Sequence, residues 1–186
     1  ETEVVVPAII GKDRVTDIGD SAFAPDVPRL TEAQREQRRQ IRSIVLPETM
    51  TKIGQSAFSG CAGLTSVTIP AGVTEIGQSA FFGCAGLTSV TIPAGVTKIG
   101  NYAFYNCTGL TSVTIPESVR EIGEWAFSGC TGLIEVMISK GVRKIGEWAF
   151  SGCTGLTSVA VPESVREIGE SAFRDCTRLT SVTIPE

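Results

Sequence analysis

The chain has 186 residues, a formal net charge of −4 and no histidine. Its length fits a single domain, and its hydrophobic fraction of 42% is ample for a continuous core. The acidic balance argues against nucleic acid as a partner, and the lack of histidine removes the usual base for a serine or cysteine nucleophile. No apolar run reaches the roughly 18 residues that a membrane helix needs.

Tandem repetition dominates the sequence, because six cysteines recur at intervals of 23 residues and the residues between them repeat almost letter for letter. A fixed period of this size predicts a solenoid, since one unit buries its apolar side only by stacking on its neighbours. We therefore divide the chain into a divergent first repeat with a capping region, residues 1–43, and tandem repeats over residues 44–186.

The first region carries extra chain and a predicted polar helix near residues 31–40. Thr31 and Gln34 have the spacing of a capping box, and arginines crowd the end of the helix, where cations suit its dipole. One interpretation is a cap that shields the open core and edge of the first coil. The other is a site where four arginines hold an anionic ligand or partner, namely Arg35, Arg38, Arg39 and Arg42.

Each repeat begins with a predicted strand and continues with a second extended stretch. In one copy the segment LTSVTIP alternates, with Val67 and Ile69 on one face, and Pro70 closes the strand because it cannot donate to a ladder. The following VTEIG brings Val73 and Ile76 inward. Strands of successive coils should therefore lie side by side and parallel.

Each repeat ends in a predicted short helical turn, QSAFFGC in the same copy, in which Ala80, Phe81 and Cys84 fall at helical spacing. The residue before each cysteine is glycine, asparagine or aspartate. These residue types tolerate a left-handed backbone, which ends a short helix and returns the chain to the next strand.

The repeat pattern L-x-x-V-x-I-P, followed by V-x-x-I-G-x-x-A-F-x-x-C, resembles the BspA-like, or Treponema pallidum type, leucine-rich repeat family over residues 41–186. This resemblance implies a right-handed α/β-type coil with a parallel β-sheet on its concave face and short helical turns and extended segments on the other face. It also implies an extracellular or bacterial cell-surface protein that binds other proteins or host components.

The six cysteines share one inward column, and three interpretations of them stay open. Free buried thiols would act as small apolar residues. The alpha carbons of cysteines in neighbouring coils are close enough for disulfide bonds, although the side chains would point in parallel directions rather than toward each other. Metal ligation is the third possibility. The column comprises Cys61, Cys84, Cys107, Cys130, Cys153 and Cys176.

Catalysis finds little support in these residues, and we expect no enzyme, no cofactor and no metal site. The glycines recur with the coil and are explained by its turns, so no phosphate-binding loop is indicated. Glu124, Glu147 and Glu170 form a column. One interpretation is that these carboxylates are ordinary surface charges. The other is that they repel one another, which would raise their affinity for protons.

Two surfaces are candidates for binding a protein partner. The first is the outward face of the sheet, where one coil interrupts a hydroxyl ladder with Ile134, Glu135, Met137 and Lys140. Methionine is adaptable at interfaces, so this departure indicates either a partner contact or neutral drift in one copy. The ladder itself comprises Ser66, Thr68, Ser89, Thr91, Ser112 and Thr114.

The second candidate surface is a stripe of aromatic residues on the opposite side of the coil. Contiguous exposed aromatics indicate an interaction site, whereas rings that stack between coils would only shield one another. Both interpretations stay open. The aromatic stripe comprises Phe82, Tyr102, Tyr105, Trp125 and Trp148.

The leading functional hypothesis is a non-catalytic protein-interaction or adhesion module without a membrane span. The alternatives are a ligand-free consensus scaffold, and ice binding by the stacked Ser-x-Thr pairs. After Pro185 no capping element follows, so Phe173 and Leu179 would be half covered. We expect either a longer natural chain or self-association through this end.

Overall fold

The computed structural model describes residues 3–184 and consists of parallel coils with one helix near the N-terminal end. The described residues form seventeen short strands, because each coil turns after two to four extended residues. In chain order the elements are β1 (Glu3–Val5), β2 (Ile9–Ile10), β3 (Asp13–Arg14), β4 (Asp17–Ile18), α1 (Glu32–Arg39), β5 (Ser43–Val45), β6 (Lys52–Ile53), β7 (Ser66–Thr68), β8 (Glu75–Ile76), β9 (Ser89–Thr91), β10 (Lys98–Ile99), β11 (Ser112–Ile115), β12 (Glu121–Ile122), β13 (Glu135–Ile138), β14 (Lys144–Ile145), β15 (Ser158–Ala160), β16 (Glu167–Ile168) and β17 (Ser181–Thr183).

Two parallel sheets run along the stack, which confirms the predicted solenoid. The eight-stranded sheet has the order β1-β5-β7-β9-β11-β13-β15-β17, and the seven-stranded sheet has the order β16-β14-β12-β10-β8-β6-β4. Register follows the repeat, because Val67 pairs with Val90 and Ile76 pairs with Ile99, each one coil away. The residues at each position of the repeat therefore form a column along the stack.

The third side of each coil differs in detail from the predicted helical turn. Its residues form successive turns, in which Ala80 N donates to Gly77 O and Cys84 N donates to Phe81 O. The alternate amide groups point to the next coil, so that Phe81 N donates to Ala103 O at 2.8 Å. Residues with a left-handed backbone, including Ser79 at φ 55°, prevent a continuous helix here.

The left-handed residue predicted before each cysteine is present in every coil. Its φ lies between 56° and 77°, and the residue is glycine in four coils, Asn106 in one and Asp175 in another. Glycine and asparagine adopt this conformation most readily. The sequence therefore located the point at which the chain turns back toward the eight-stranded sheet.

The core is a column of stacked phenyl rings surrounded by aliphatic side chains. Five of these rings, from Phe58 to Phe150, are fully buried. Their centroids are 5.1–5.3 Å apart and the ring planes are nearly parallel, with interplanar angles of at most 16°. Burial of this kind stabilises a domain by about 1.5–3 kcal/mol for each large apolar side chain. No coil completes this core alone.

The predicted polar helix is confirmed as α1, and Thr31 and Gln34 form the expected capping box. Its arginines contact the preceding loop. Arg38 donates to the carbonyl oxygen of Ala24 at 2.8 Å, and Arg39 pairs with Asp26 at 2.8 Å. These contacts hold α1 against the preceding loop, and the role of this region as a cap on the first coil stays a prediction.

The extra residues before β4 form a hairpin that the sequence did not reveal. Strands β2 and β3 pair antiparallel, with Ile9 opposite Arg14 and Ile10 opposite Asp13. Ile9 and Ile10 are mostly exposed, so the hairpin contributes little to the core. It connects β1 of the eight-stranded sheet with β4 of the seven-stranded sheet.

The last described coil is less buried than the coils before it. Phe173 and Leu179 are half-buried, as predicted, and Ile168 and Val182 are exposed. The ring of Phe173 still stacks on Phe150 at 5.4 Å. Among residues 3–184, no helix is long and apolar enough to cross a membrane.

Candidate interaction surfaces

The hydroxyl ladder lies on the outer face of the eight-stranded sheet, with all six side chains exposed. Register aligns Ser66 with Ser89 and Ser89 with Ser112. Strands β9 and β11 pair only through the two serines, whereas the other neighbouring strands of this sheet pair over three or four residues. A shallow depression of about 300 Å³ lies at this junction, lined by residues that include Thr91 and Thr114.

Threonines beside this sheet form a second ladder that the sequence reading missed. The hydroxyl of Thr88 donates to the carbonyl oxygen of Thr65 at 3.2 Å, and Thr111 donates to Thr88 at 3.3 Å. Ile134 occupies the same column and has no hydroxyl to donate. This coil therefore breaks the threonine ladder and the serine ladder together.

Ile134 and Met137 form an exposed apolar patch at the predicted place. Their exposed fractions are 55% and 54%, and Met137 lies between Thr114 and Ala160 in the sheet register. Glu135 is exposed between Ser112 and Ser158. Ile134, Glu135 and Met137, three of the four residues that mark this coil, are thus all exposed.

Lys140 lies apart from that patch, in the turn after β13. It lines a pocket of about 170 Å³ together with three arginines from successive coils. The sequence reading grouped Lys140 with Met137 because both depart from the repeat. The structure gives Lys140 a different, cationic set of neighbours.

The aromatic stripe is a continuous array of rings on the side of the coil formed by turns. Tyr102 stacks on Trp125 at 6.1 Å, and Trp125 stacks on Trp148 at 4.9 Å with an interplanar angle of 4°. Phe82 stacks on Tyr105 at 4.9 Å. The edge contact between Tyr102 and Tyr105, at 5.9 Å, joins the two rows.

The stripe is stacked internally and still open to solvent. Phe82 is 37% exposed, and the other four rings are half-buried. The guanidinium of Arg174 lies 5.1 Å from the ring centre of Trp148 and closes one end of the array. Stacking between coils, one of the two open interpretations, is therefore present, and it leaves part of every ring accessible.

Three of these aromatic residues have an unusual backbone. Tyr102, Trp125 and Trp148 have φ values of 56–57°, in the left-handed region that bulky L-residues rarely adopt. Serine holds the same position in other coils, for example Ser56 and Ser79. Large rings at this position thus sit on a backbone that costs about 1–2 kcal/mol to adopt.

The cysteine column provides structural thiols with no sign of a nucleophile. All six are free, five are buried and Cys176 is half-buried. Burial raises the pKa of Cys61 to about 12 and raises the pKa of Cys84 well above its usual value. A nucleophilic cysteine needs the opposite shift, because the thiolate is the reactive form.

The carboxylates of Glu124, Glu147 and Glu170 are exposed, as the surface-charge interpretation requires. Within residues 3–184, no group of three or more potential metal ligands comes together. The predicted acidic column therefore exists as a solvent-facing row on the surface.

A ladder of alternating charges on the seven-stranded sheet escaped the sequence reading. Each cation or anion pairs in register with the opposite sign in the next coil, and Lys144 Nζ lies 2.8 Å from Glu167. Hydrogen bonding to Glu167 raises the pKa of Lys144. Comparing the residue before the inward isoleucine of the second strand in each repeat would have revealed it. The ladder comprises Asp17, Lys52, Glu75, Lys98, Glu121, Lys144 and Glu167.

Comparison with protein families gives a match to the BspA type leucine rich repeat region, in six copies over residues 35–117 and 74–186. The comparison with curated proteins found no match. Repeats of this family are generally scaffolds rather than enzymes.

Several solved structures resemble the chain over nearly its whole length. A leucine-rich repeat protein from Bacteroides ovatus is 30% identical, with a TM-score of 0.85 over 99% of this chain and 46% of its own. The T. pallidum leucine-rich repeat protein is 32% identical, with a TM-score of 0.85 over 95% of this chain and 77% of its own. A leucine-rich cell surface protein from Faecalibacterium prausnitzii is 34% identical, with a TM-score of 0.83 over 98% of this chain and 47% of its own.

The chain spans about half the length of two of these relatives.

Proposed function

The chain belongs to the BspA-type leucine-rich repeat family, and on that premise we propose that it is a non-catalytic module that binds a protein partner through the aromatic stripe. The observation that carries the proposal is the preassembled array of five accessible rings with Arg174 at its end. Tryptophan, tyrosine and arginine are the residues that most often dominate the free energy of protein binding.

Preorganisation supports this choice of surface. The rings are already held by stacking on one another, so a partner that covers them loses little side-chain entropy on binding. The backbone at this position is left-handed whether the residue is serine, as at Ser79, or tryptophan, as at Trp125 and Trp148, so the large rings are not needed to form the turn.

The proposed location is the bacterial cell surface or the extracellular space. A similar protein from F. prausnitzii is described as a leucine-rich cell surface protein. The chain has a net charge of −4, so a protein rather than a nucleic acid is the partner we propose. We propose no catalytic role, because the chain lacks histidine and burial keeps its thiols protonated.

Replacement of both tryptophans by serine tests the proposal. Trp125→Ser with Trp148→Ser installs the residue that Ser56 and Ser79 already provide on the same backbone, so the fold should be retained. Biolayer interferometry against purified extracellular-matrix and cell-surface proteins measures binding. We expect the double variant to lose about tenfold or more in affinity for any protein that the wild type binds.

The matched control alters the other surface. Glu135→Ser with Met137→Thr restores the hydroxyl ladder and leaves the aromatic stripe intact. This control should bind like the wild type. Equal binding by the tryptophan double variant, or loss confined to the control, would refute the stripe as the docking surface and favour the Ile134 and Met137 patch.

The other hypotheses have weaker support. Ice binding needs a regular flat hydroxyl array, and register places Met137 directly beside Thr114 in this one. Self-association through the last coil stays a prediction, which light scattering as a function of concentration tests.

A further inference from the structure

A second charged feature lies between the two sheets, in the last three complete coils. The residue after the inward valine or methionine is threonine in the first four coils and arginine in the next three. Main-chain hydrogen bonds align these arginines, since Arg143 N donates to Arg120 O at 2.9 Å and Arg166 N donates to Arg143 O at 2.8 Å. Neighbouring parallel strands are about 4.8 Å apart, so the three cations form a closely spaced row.

The turn in the middle coil, that of Arg143, adds a fourth cation. The neighbouring coils carry Pro-Glu-Ser at this turn, whereas this coil carries Ser139, Lys140 and Gly141. Lys140 thus replaces an acid. A side chain at Gly141 would collide with the backbone of Glu117, so the close approach requires glycine.

A pocket of about 170 Å³ is lined by the three arginines together with Lys140, Gly141 and Ser164. The main-chain oxygen of Gly141 accepts a hydrogen bond from Arg120 at 3.1 Å, which orients that guanidinium toward the pocket. Among the residues that the structure describes, none of the four cations forms an ion pair with a carboxylate.

The neighbouring acids do not neutralise the pocket. Arg120 and Arg166 donate to the main-chain oxygens of Glu117 and Glu163, at 3.5 Å and 3.3 Å, rather than to their carboxylates. On the next column, Glu167 pairs with Lys144. A concentrated set of cations without anionic partners is unusual in a chain whose net charge is −4.

We propose that this pocket binds an oxyanion group of a sulfate or phosphate ester. Guanidinium groups recognise oxyanions by paired hydrogen bonds, and one guanidinium suffices for the two oxygens of a carboxylate. A tetrahedral ester group offers three terminal oxygens in different directions, which suits donors that come from three coils. The site lies apart from the aromatic stripe and does not depend on it.

Replacement by threonine tests the site with little risk to the fold. Thr51, Thr74 and Thr97 hold the same position in the first coils, so Arg120→Thr, Arg143→Thr and Arg166→Thr extend an existing column. The control carries Arg14→Thr, Arg29→Thr and Arg42→Thr, which removes the same charge from exposed positions outside the pocket. Lys140→Ala is a milder second variant.

The probes are a fluorescent fully sulfated hexasaccharide, inositol hexakisphosphate as a competitor, and a hexaglutamate peptide. Fluorescence anisotropy at low salt should show wild-type binding of the hexasaccharide that weakens as salt is added. The pocket variant should lose about tenfold in affinity, Lys140→Ala should lose less, and the control should stay within about twofold of the wild type.

The competitor identifies the source of the oxyanion. Displacement by inositol hexakisphosphate shows that phosphate esters share the site, and resistance to displacement assigns it to sulfate esters. Absence of hexasaccharide binding, an equal loss in the control variant, or tighter binding of hexaglutamate would each overturn the proposal. The last result would assign the pocket to an acidic protein segment instead.

Discussion

The thiol of Cys84 donates a hydrogen bond to the main-chain carbonyl oxygen of Phe58, 3.2 Å away in the preceding coil. Each cysteine therefore does more than fill a small apolar space, because it also supplies a donor to a buried carbonyl group. Alanine would fill the space less well and donate nothing. The same contact recurs at 3.2 Å from Cys107 to Phe81, Cys130 to Phe104, Cys153 to Phe127 and Cys176 to Phe150.

These thiols should make the fold sensitive to alkaline pH. Burial raises the pKa of Cys61 to about 12, and it raises the pKa of Cys84 and Cys107 well above the usual value of 9.0. Above pH 9 the unfolded chain releases protons that the folded chain retains. The free energy of unfolding should therefore fall as pH rises, by about 1.4 kcal/mol per pH unit for each protected thiol.

Urea unfolding at about pH 8, 9.5 and 10.5 measures this dependence. The control is the Cys84→Ala, Cys107→Ala double variant, which should be less stable at the lowest pH because each lost sulfur leaves a small cavity. Above pH 9 its stability should fall less steeply than that of the wild type. Parallel profiles for the two proteins would show that the thiols do not cause the effect.

The column of phenyl rings should respond to truncation according to position. Phe104 is fully buried, with Phe81 and Phe127 stacked on its two faces at 5.2 Å and 5.1 Å. Phe104→Ala should lower the free energy of unfolding by about 3–5 kcal/mol. Phe173→Ala should cost clearly less, because that ring is half-exposed and stacks on one described neighbour. Equal losses in urea unfolding would contradict a core that is shared between coils.

The alternating order of the charges on the seven-stranded sheet should contribute to the stability of the fold. Lys98 lies between Glu75 and Glu121 in register and pairs with Glu121 at 3.6 Å. Lys98→Glu would place three carboxylates in a row, which should lower Tm by about 2–4 °C at low salt. Lys98→Gln, which removes the attraction without adding repulsion, should have a smaller effect. The difference between the two variants should shrink in 1 M salt, and a difference that persists there would exclude an electrostatic cause.

The strands, the core columns and the capping box were predictable because they depend on residue type at a fixed spacing. Val67 and Ile69 alternate with polar residues, and Thr31 with Gln34 has a recognised local geometry. The aromatic stripe was predictable for the same reason, since a column of equivalent positions must stack in a solenoid. Its stacking distances and its partial exposure required coordinates.

The turn segment shows where the sequence signal fails. Ala80, Phe81 and Cys84 are spaced as in a helix, and Ser79 carries no sign that its backbone is left-handed. Hydrogen bonds to the next coil decide the conformation, since Ser79 N donates to Asn101 O at 2.8 Å. Contacts between coils therefore override local preference. The pocket around Lys140 escaped prediction because its lining comes from three coils and from two separate positions of the repeat.

The left-handed serine gives a direct test of this backbone. Ser79 has a φ of 55°, which costs an L-residue about 1–2 kcal/mol, whereas glycine adopts it freely. Ser79→Gly should raise the free energy of unfolding by about 0.5–1 kcal/mol, because the relief of strain exceeds the added chain entropy of the unfolded state. The control is Ser66→Gly in the extended strand β7, which should lower stability by about the same amount. Destabilisation by both substitutions in urea unfolding would show that the turn of this coil is helical, as its residue spacing indicates.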